Sequence, residues 1–164
     1  MSKESKKTIN KKDNTKLINT LIIIGIVFLI ASLVLMFTDK KRNFIKAINY
    51  QEYTDILKED KYNIILLTSP TCGHCTNYKP YVNYVASEND LTVYDIDISS
   101  LEYDEYLAIH DKYSVLANEV SGNDPVIPTP VTIIVKNGVE VASVLGNIGQ
   151  SGFTSLLKNN NIIK

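Results

Sequence analysis

The sequence has no tryptophan and only two cysteines, Cys72 and Cys75, which are separated by two residues. Two cysteines in a single motif cannot form the several disulfides on which a small secreted scaffold depends. The chain also shows no internal repeat with a period of about 20 to 50 residues, which excludes a repeat architecture. We therefore expect the cysteine pair to serve chemistry rather than structure.

Most of the chain has no net positive charge. The formal net charge of −1 hides an uneven distribution, because six lysines against two acidic residues before residue 17 give +4. From Ala47 onward, seven lysines stand against fifteen acidic residues, which gives −8. A domain this acidic repels phosphate backbones, so the composition excludes nucleic acid as the main partner.

No charged side chain occurs between residues 17 and 38, and most of this run is Leu, Ile, Val and Phe. About 20 helical residues cross the roughly 30 Å hydrocarbon layer of a bilayer. A cleaved signal peptide is the closest alternative, but its apolar region usually has about 7 to 15 residues and ends at a small-x-small site that is missing here. We predict a disordered basic tail at 1–16, a transmembrane helix in the lipid bilayer at 17–38 and a basic linker at 39–46.

Basic residues on the two sides of this run predict its orientation. Six lysines precede it and four basic residues follow it, namely Lys40, Lys41, Arg42 and Lys46. The positive-inside rule therefore places the N-terminus in the cytoplasm. The expected location is the cytoplasmic membrane, crossed once, with one compact extracytoplasmic domain at 47–164.

Apolar periodicity in this domain predicts alternating helices and strands. We expect helices at 49–58, 76–86, 99–117 and 150–158, a polar loop at 119–128, and strands at 63–68, 91–98, 131–135 and 139–145, with a hairpin turn at Asn137-Gly138. Asn49 with Glu52, and Ser99 with Glu102, have the spacing of helix capping boxes. This order of elements predicts an α/β domain with a central mixed sheet flanked by helices, preceded by one transmembrane helix.

The cysteine motif follows a buried strand and opens a helix. A helix N-terminus carries about half a positive charge and several unpaired N–H groups, which stabilise a thiolate at Cys72. A zinc site would need two more converging ligands, and only His74, between the cysteines, and His110 could join them. We predict a redox dithiol with no metal, while an inert structural disulfide stays as an alternative; His110 is expected at the surface.

Residues around the motif resemble the thioredoxin superfamily over roughly residues 45–163. Pro80 follows Cys75 by five residues, where thioredoxins carry the proline that kinks the active-site helix. The run from Pro130 to Gly138 resembles the family's segment from its cis-proline to its hairpin. The resemblance implies a thioredoxin-like fold and a cis peptide bond at Thr129-Pro130.

Gly73-His74 is the dipeptide found between the cysteines of protein disulfide isomerase domains. The resemblance implies that Cys72 attacks a protein or peptide disulfide and that Cys75 resolves the mixed disulfide, with no cofactor and with an unidentified electron donor or acceptor. As an imidazolium, His74 would stabilise the reduced form and raise the reduction potential. The resemblance also assigns substrate contacts to Thr129, Pro130 and Thr71.

Two positions depart from the family pattern. Thr71 occupies the place of the usual tryptophan before the first cysteine, and Leu66 that of the buried acid that helps to deprotonate the second cysteine. Asp95 falls where thioredoxins often have a lysine near the active site. Our hypothesis is that Asp95 accepts the Cys75 proton; the alternative is a solvated carboxylate at a strand end.

Two functions are consistent with the sequence. The first is a membrane-anchored thiol–disulfide oxidoreductase that exchanges disulfides with extracytoplasmic proteins. The alternative is a thioredoxin-like accessory subunit of a secretion or transport complex, in which redox chemistry is secondary. The segment at 99–127 is longer than in a minimal thioredoxin, and it is either a substrate-docking insertion or a decorative helix with a surface loop.

Overall fold

The structure, a computed structural model, describes residues 11–37 and 43–164. The chain divides into two compact units, residues 1–42 and residues 43–164. Residues 1–10 and 38–42, which include much of the predicted tail and linker, lie outside the described residues.

Helix α1 (Lys11–Phe37) is the described part of the first unit. It begins at Lys11 and so includes the last six residues of the segment expected to be disordered. Its large apolar side chains between Ile18 and Ile30 are more than half exposed, and the four consecutive residues 21–24 cover the whole helix circumference. Among residues 11–37 and 43–164, no helix combines the length and the apolar character that a membrane crossing requires.

The second unit has the α/β architecture that the sequence predicts. Its elements are β1 (Ile45–Ala47), α2 (Tyr50–Ile56), β2 (Tyr62–Thr68), α3 (Gly73–Glu88), β3 (Val93–Asp97), α4 (Tyr103–Lys112), β4 (Val120–Ser121), β5 (Asp124–Pro125), β6 (Val131–Lys136), β7 (Val139–Leu145) and α5 (Gly149–Asn159). Five strands form one sheet in the order β1-β3-β2-β6-β7. The pairs β1–β3 and β2–β3 are parallel, whereas β2–β6 and β6–β7 are antiparallel, so the predicted mixed sheet is confirmed.

Two local predictions are confirmed by their geometry. The Asn49 side chain accepts from the Glu52 N–H at 2.9 Å, and the Glu52 carboxylate accepts from the Asn49 N–H at 3.1 Å, which is a complete capping box. Asn137 and Gly138 have φ values of 51° and 71°, the left-handed backbone that a tight hairpin between β6 and β7 requires.

The predicted cap at Ser99 is wrong. The Asp97 carboxylate accepts from both the backbone N–H and the hydroxyl of Ser99, at 2.9 and 2.6 Å, and the chain forms a 3-10 turn at Ile98–Ser100 instead. Helix α4 starts only at Tyr103, where the N–H of its N-cap Glu102 donates to the Glu105 carboxylate at 3.1 Å, and it ends at Lys112 rather than near residue 117. Two further elements escaped prediction: β1, and the β4–β5 hairpin inside the polar loop.

Apolar side chains pack in a separate cluster on each face of the sheet. One cluster joins the sheet to α3 and α5, and its members include Leu66, Tyr78, Val82, Phe153 and Leu157. The other joins the sheet to α2 and α4, and its members include Tyr53, Ile65, Ile109, Tyr113 and Ile127. Alternate residues of the buried strands serve opposite clusters, as the pleat requires. The first cluster fixes α3, whose N-terminus carries the cysteine motif.

Candidate active site

Cys72 and Cys75 form a disulfide, with their Cα atoms 5.3 Å apart. After β2 ends at Thr68, the Cys72 N–H donates to the Ser69 carbonyl at 3.1 Å, which turns the chain into α3. Cys72 is the N-cap of that helix, and its Sγ accepts from the Cys75 N–H at 3.0 Å. The local geometry therefore places the Cys72 sulfur against the unpaired N–H groups of a helix N-terminus.

The two cysteines differ in exposure. Cys72 is partly exposed, whereas Cys75 is only 2% exposed. Thr71, Gly73 and His74 are all exposed around Cys72. A substrate can therefore reach the first sulfur, and the second is shielded within the domain.

The loop before β6 lies against Cys72. The Thr129-Pro130 peptide bond is cis, as the family resemblance implies. The Thr129 carbonyl oxygen is 3.4 Å from Cys72 Sγ; in the disulfide this is a contact, and a reduced Cys72 thiol could donate to it. On the other side, the Pro130 carbonyl accepts from the Gly146 N–H at 2.8 Å. The structure thus brings Thr129 and Pro130 beside Cys72.

Asp95 is buried and paired. Its side chain is 11% exposed, and its two oxygens accept from the Thr68 hydroxyl at 2.7 Å and from the Lys79 ammonium at 2.6 Å. The alternative of a solvated strand-end carboxylate is therefore wrong. Lys79 follows Cys75 by one helical turn, so the two share a face of α3. From this spacing, the sequence alone could have placed Lys79 on the same helix face as Cys75. It could not have identified Asp95 on β3 as the partner of Lys79.

Leu66 is fully buried at the position where thioredoxins carry their acid. In the parallel register of β2 and β3, Leu66 is paired with Asp95. The carboxylate therefore comes from the neighbouring strand at the same level of the sheet. A cavity of about 460 Å³ opens beside it, lined by Thr76, Lys79 and Asp95 among others.

Tyr78 anchors the buried face of α3. Its side chain is fully buried, and its hydroxyl is 3.1 Å from that of Thr132 on β6. Burial raises the pKa of Tyr78 to about 12, while the bond with Thr132 opposes this shift. Tyr78 therefore stays neutral at ordinary pH and serves to hold the helix on the sheet.

The prediction that His110 lies at the surface is wrong. The residue is only 5% exposed. Its Nε2 is 3.0 Å from the Glu119 carbonyl, and its Nδ1 is 3.1 Å from the Asp111 carboxylate. Because a carbonyl can only accept, Nε2 donates. His110 thus joins α4 to the loop at Glu119, and it is not part of the cysteine site.

The family model described as thioredoxin matches residues 44–159. The chain belongs to the thioredoxin family. No curated protein matches its sequence. The match covers β2, the cysteine motif, the cis-proline loop and all of α5, so the disulfide described above is the redox-active disulfide of a thioredoxin-like protein.

Solved thioredoxins share the fold of this family member. Thioredoxin f2 from Chlamydomonas reinhardtii has a TM-score of 0.55 at 15% identity, with 73% of this chain and 99% of that chain covered. Thioredoxin NaTrxh from Nicotiana alata has a TM-score of 0.53 at 16% identity, with 72% and 93% covered. A mutant thioredoxin from Halobacterium salinarum has a TM-score of 0.53 at 19% identity, with 73% and 93% covered. At such identities the similarity concerns the fold alone.

Proposed function

We propose that the protein is a membrane-anchored thiol–disulfide oxidoreductase that exchanges disulfides with extracytoplasmic proteins. One observation carries the redox part of the proposal. A partly exposed Cys72 caps a helix, is bonded to a buried Cys75 and faces the carbonyl of Thr129. This arrangement supplies an attacking sulfur, a resolving sulfur and a backbone edge against which a peptide substrate can lie.

In the reducing direction, the Cys72 thiolate attacks one sulfur of a substrate disulfide. The substrate S–S bond breaks, a Cys72–substrate disulfide forms, and the other substrate sulfur leaves as a thiolate that takes a proton. Cys75 then loses its proton and attacks Cys72 Sγ, which forms the Cys72–Cys75 disulfide and releases the second substrate thiol. Two electrons pass from the dithiol to the substrate, and the reverse sequence oxidises a substrate dithiol.

Asp95 is proposed as the group that receives the Cys75 proton. It is the buried acid paired with Leu66, and Lys79, one turn after Cys75, holds its carboxylate. A general base must be able to reach the proton directly or through a water. The cavity lined by Thr76, Lys79 and Asp95 lets water reach this carboxylate.

His74 supports an oxidising or isomerising tendency of the protein disulfide isomerase type. Its side chain is exposed in the first turn of α3, one residue before Cys75. As an imidazolium it adds positive charge to the helix N-terminus, which favours the Cys72 thiolate and therefore the reduced protein. A more stable reduced form makes the disulfide a stronger oxidant.

The membrane anchor is supported by the charge-free run at 17–38 and by the apolar side chains exposed along the described part of α1. The excess of lysines before this run supports a cytoplasmic N-terminus. Resistance of the full-length chain to carbonate extraction, together with protease cleavage of the domain in intact protoplasts, is the expected result. Recovery in the soluble fraction would contradict the anchor.

Insulin reduction and the refolding of a reduced disulfide protein test the redox function. Wild-type protein should catalyse at least one of these reactions, and the variant with Cys72→Ser and Cys75→Ser should catalyse neither. The accessory-subunit function predicts a different result. In that case the double variant still assembles with its membrane partners, because redox chemistry is secondary to assembly.

A further inference from the structure

The segment that follows β3 is bonded to the loop that carries Thr129. The Ile127 backbone N–H donates to the Tyr106 hydroxyl at 2.6 Å, and Tyr106 belongs to α4. Ile127 is 3% exposed and lies between the end of β5 and the start of β6, outside both strands. A buried N–H in such a position needs a partner, and the Tyr106 side chain supplies it.

Few other backbone groups can hold this loop. Pro128 and Pro130 have no N–H, so only Ile127 and Thr129 can donate within residues 127–130. On the far side of Thr129, the Pro130 carbonyl is bonded to the Gly146 N–H. On the N-terminal side of Thr129, the corresponding bond is the one from the Ile127 N–H to the Tyr106 hydroxyl. Ile127 lies two residues before Thr129, whose carbonyl contacts Cys72.

The same helix holds the other end of the polar loop. His110 lies four residues after Tyr106, on the same face of α4, and its Nε2 donates to the Glu119 carbonyl at 3.0 Å. That carbonyl also accepts from the Val126 N–H at 2.8 Å. Tyr106 and His110 therefore fix both ends of the β4–β5 hairpin, from which the chain runs directly into the Thr129-Pro130 loop.

We infer that Tyr106, supported by His110, is a positioning residue that sets the Thr129-Pro130 loop for docking of a peptide disulfide. The inference rests on the proposed function, in which a peptide backbone lies along Thr129 while its disulfide meets Cys72. A small disulfide needs only access to the Cys72 sulfur. Loss of the Tyr106 bond should therefore impair exchange with a peptide much more than exchange with a small molecule.

The test compares two reactions of the reduced protein, with insulin and with 2-hydroxyethyl disulfide. Tyr106→Phe removes one hydroxyl, and we expect the insulin rate to fall about tenfold while the rate with the small disulfide changes less than about twofold. Tyr53→Phe is the matched control, because it removes a hydroxyl that pairs with Tyr113 at 2.7 Å in the same core cluster. It should change the two rates by equal factors.

A second pair of variants keeps the test independent of Tyr106. His110→Leu removes the donor to Glu119 and should also lower the insulin rate selectively, whereas His110→Gln, whose amide can donate, should restore part of it. Parallel changes of both rates in Tyr106→Phe, or no change in either, would overturn the inference and leave the proposed function intact. A wild type that reacts with neither disulfide would overturn both.

Discussion

The two cysteines of the motif lie in contrasting surroundings. Cys72 is partly exposed, and its sulfur meets backbone groups: it accepts from the N–H of Cys75 and contacts the carbonyl of Thr129. Cys75 is buried on the helix face that also carries Lys79, which binds Asp95 on β3. In the proposed mechanism, the attacking sulfur depends on backbone geometry, and the resolving sulfur depends on side chains that must be brought together by the fold.

The largest effect is expected from removing each sulfur in turn. Cys72→Ser should abolish exchange with any disulfide, because the exposed nucleophile is lost. Cys75→Ser should keep the first step and accumulate a mixed disulfide through Cys72, which non-reducing electrophoresis and mass spectrometry will detect. If the Cys72→Ser variant accumulates a mixed disulfide through Cys75, the contrast between the two cysteines is wrong, because the buried sulfur would then be the attacking one.

Asp95→Asn should slow the resolving step by about a hundredfold, the order of magnitude that a general base contributes. The first step should change little, because Cys72 does not depend on this acid. Stopped-flow measurement of mixed-disulfide formation and decay separates the two steps. Asp97→Asn is the control, since Asp97 lies on the same strand but bonds to Ser99. An unchanged decay rate in Asp95→Asn would remove Asp95 from the mechanism.

His74→Ala should lower the reduction potential, because it removes an imidazole that stabilises the Cys72 thiolate in its imidazolium form. A loss of about 1.4 kcal/mol of that stabilisation corresponds to about 30 mV. Equilibration with glutathione buffers measures the change, and Asn77→Ala, an exposed and uncharged position in the same helix, is the control. An equal potential in both variants would show that the helix N-terminus alone activates Cys72.

The smallest effect at neutral pH is expected for Tyr78→Phe, beneath the Cys75 side of α3. Loss of its bond to Thr132 should cost about 1 kcal/mol. In the fold the pKa of Tyr78 is raised from 10.0 to about 12, so the unfolded chain loses this proton first as pH rises. Stability that is present below pH 10 is therefore lost between about pH 10 and 12, by up to about 3 kcal/mol.

Urea unfolding at pH 8 and at pH 11 tests this expectation. The loss of unfolding free energy on raising the pH should be smaller in Tyr78→Phe than in wild type. Tyr53→Phe should reduce the loss in a similar way, because burial also raises the pKa of Tyr53 to about 12. Equal losses in wild type and in both variants would contradict the assignment.

Much of the Cys72 side could be predicted because its signals are local in the sequence. The cysteine motif between a buried strand and a helix and the turn at Asn137-Gly138 each determine the conformation of a few consecutive residues. The cis bond at Thr129-Pro130 was implied by the family resemblance. The apolar patterns of β2, β6 and α5 likewise identified the elements, with differences of a few residues at their ends.

The Cys75 side could not be predicted to the same extent, because it depends on contacts between distant residues. The Lys79–Asp95 pair joins α3 to β3, and only the strand register shows that Asp95 lies beside Leu66. The predicted cap at Ser99 was wrong because the Ser99 N–H donates to the Asp97 carboxylate and not to Glu102. β1 has only three residues, which is too short for a periodic pattern to be recognised.

Site-resolved alkylation of the reduced protein across a pH series compares the two cysteines most directly. The rate of labelling at Cys72 should reach half its maximum below about pH 7.5, as expected for a thiolate at a helix N-terminus. Cys75 should stay unlabelled over the same range, because it is buried. Equal labelling of both thiols with a midpoint near the ordinary value of about 8.5 would contradict the account.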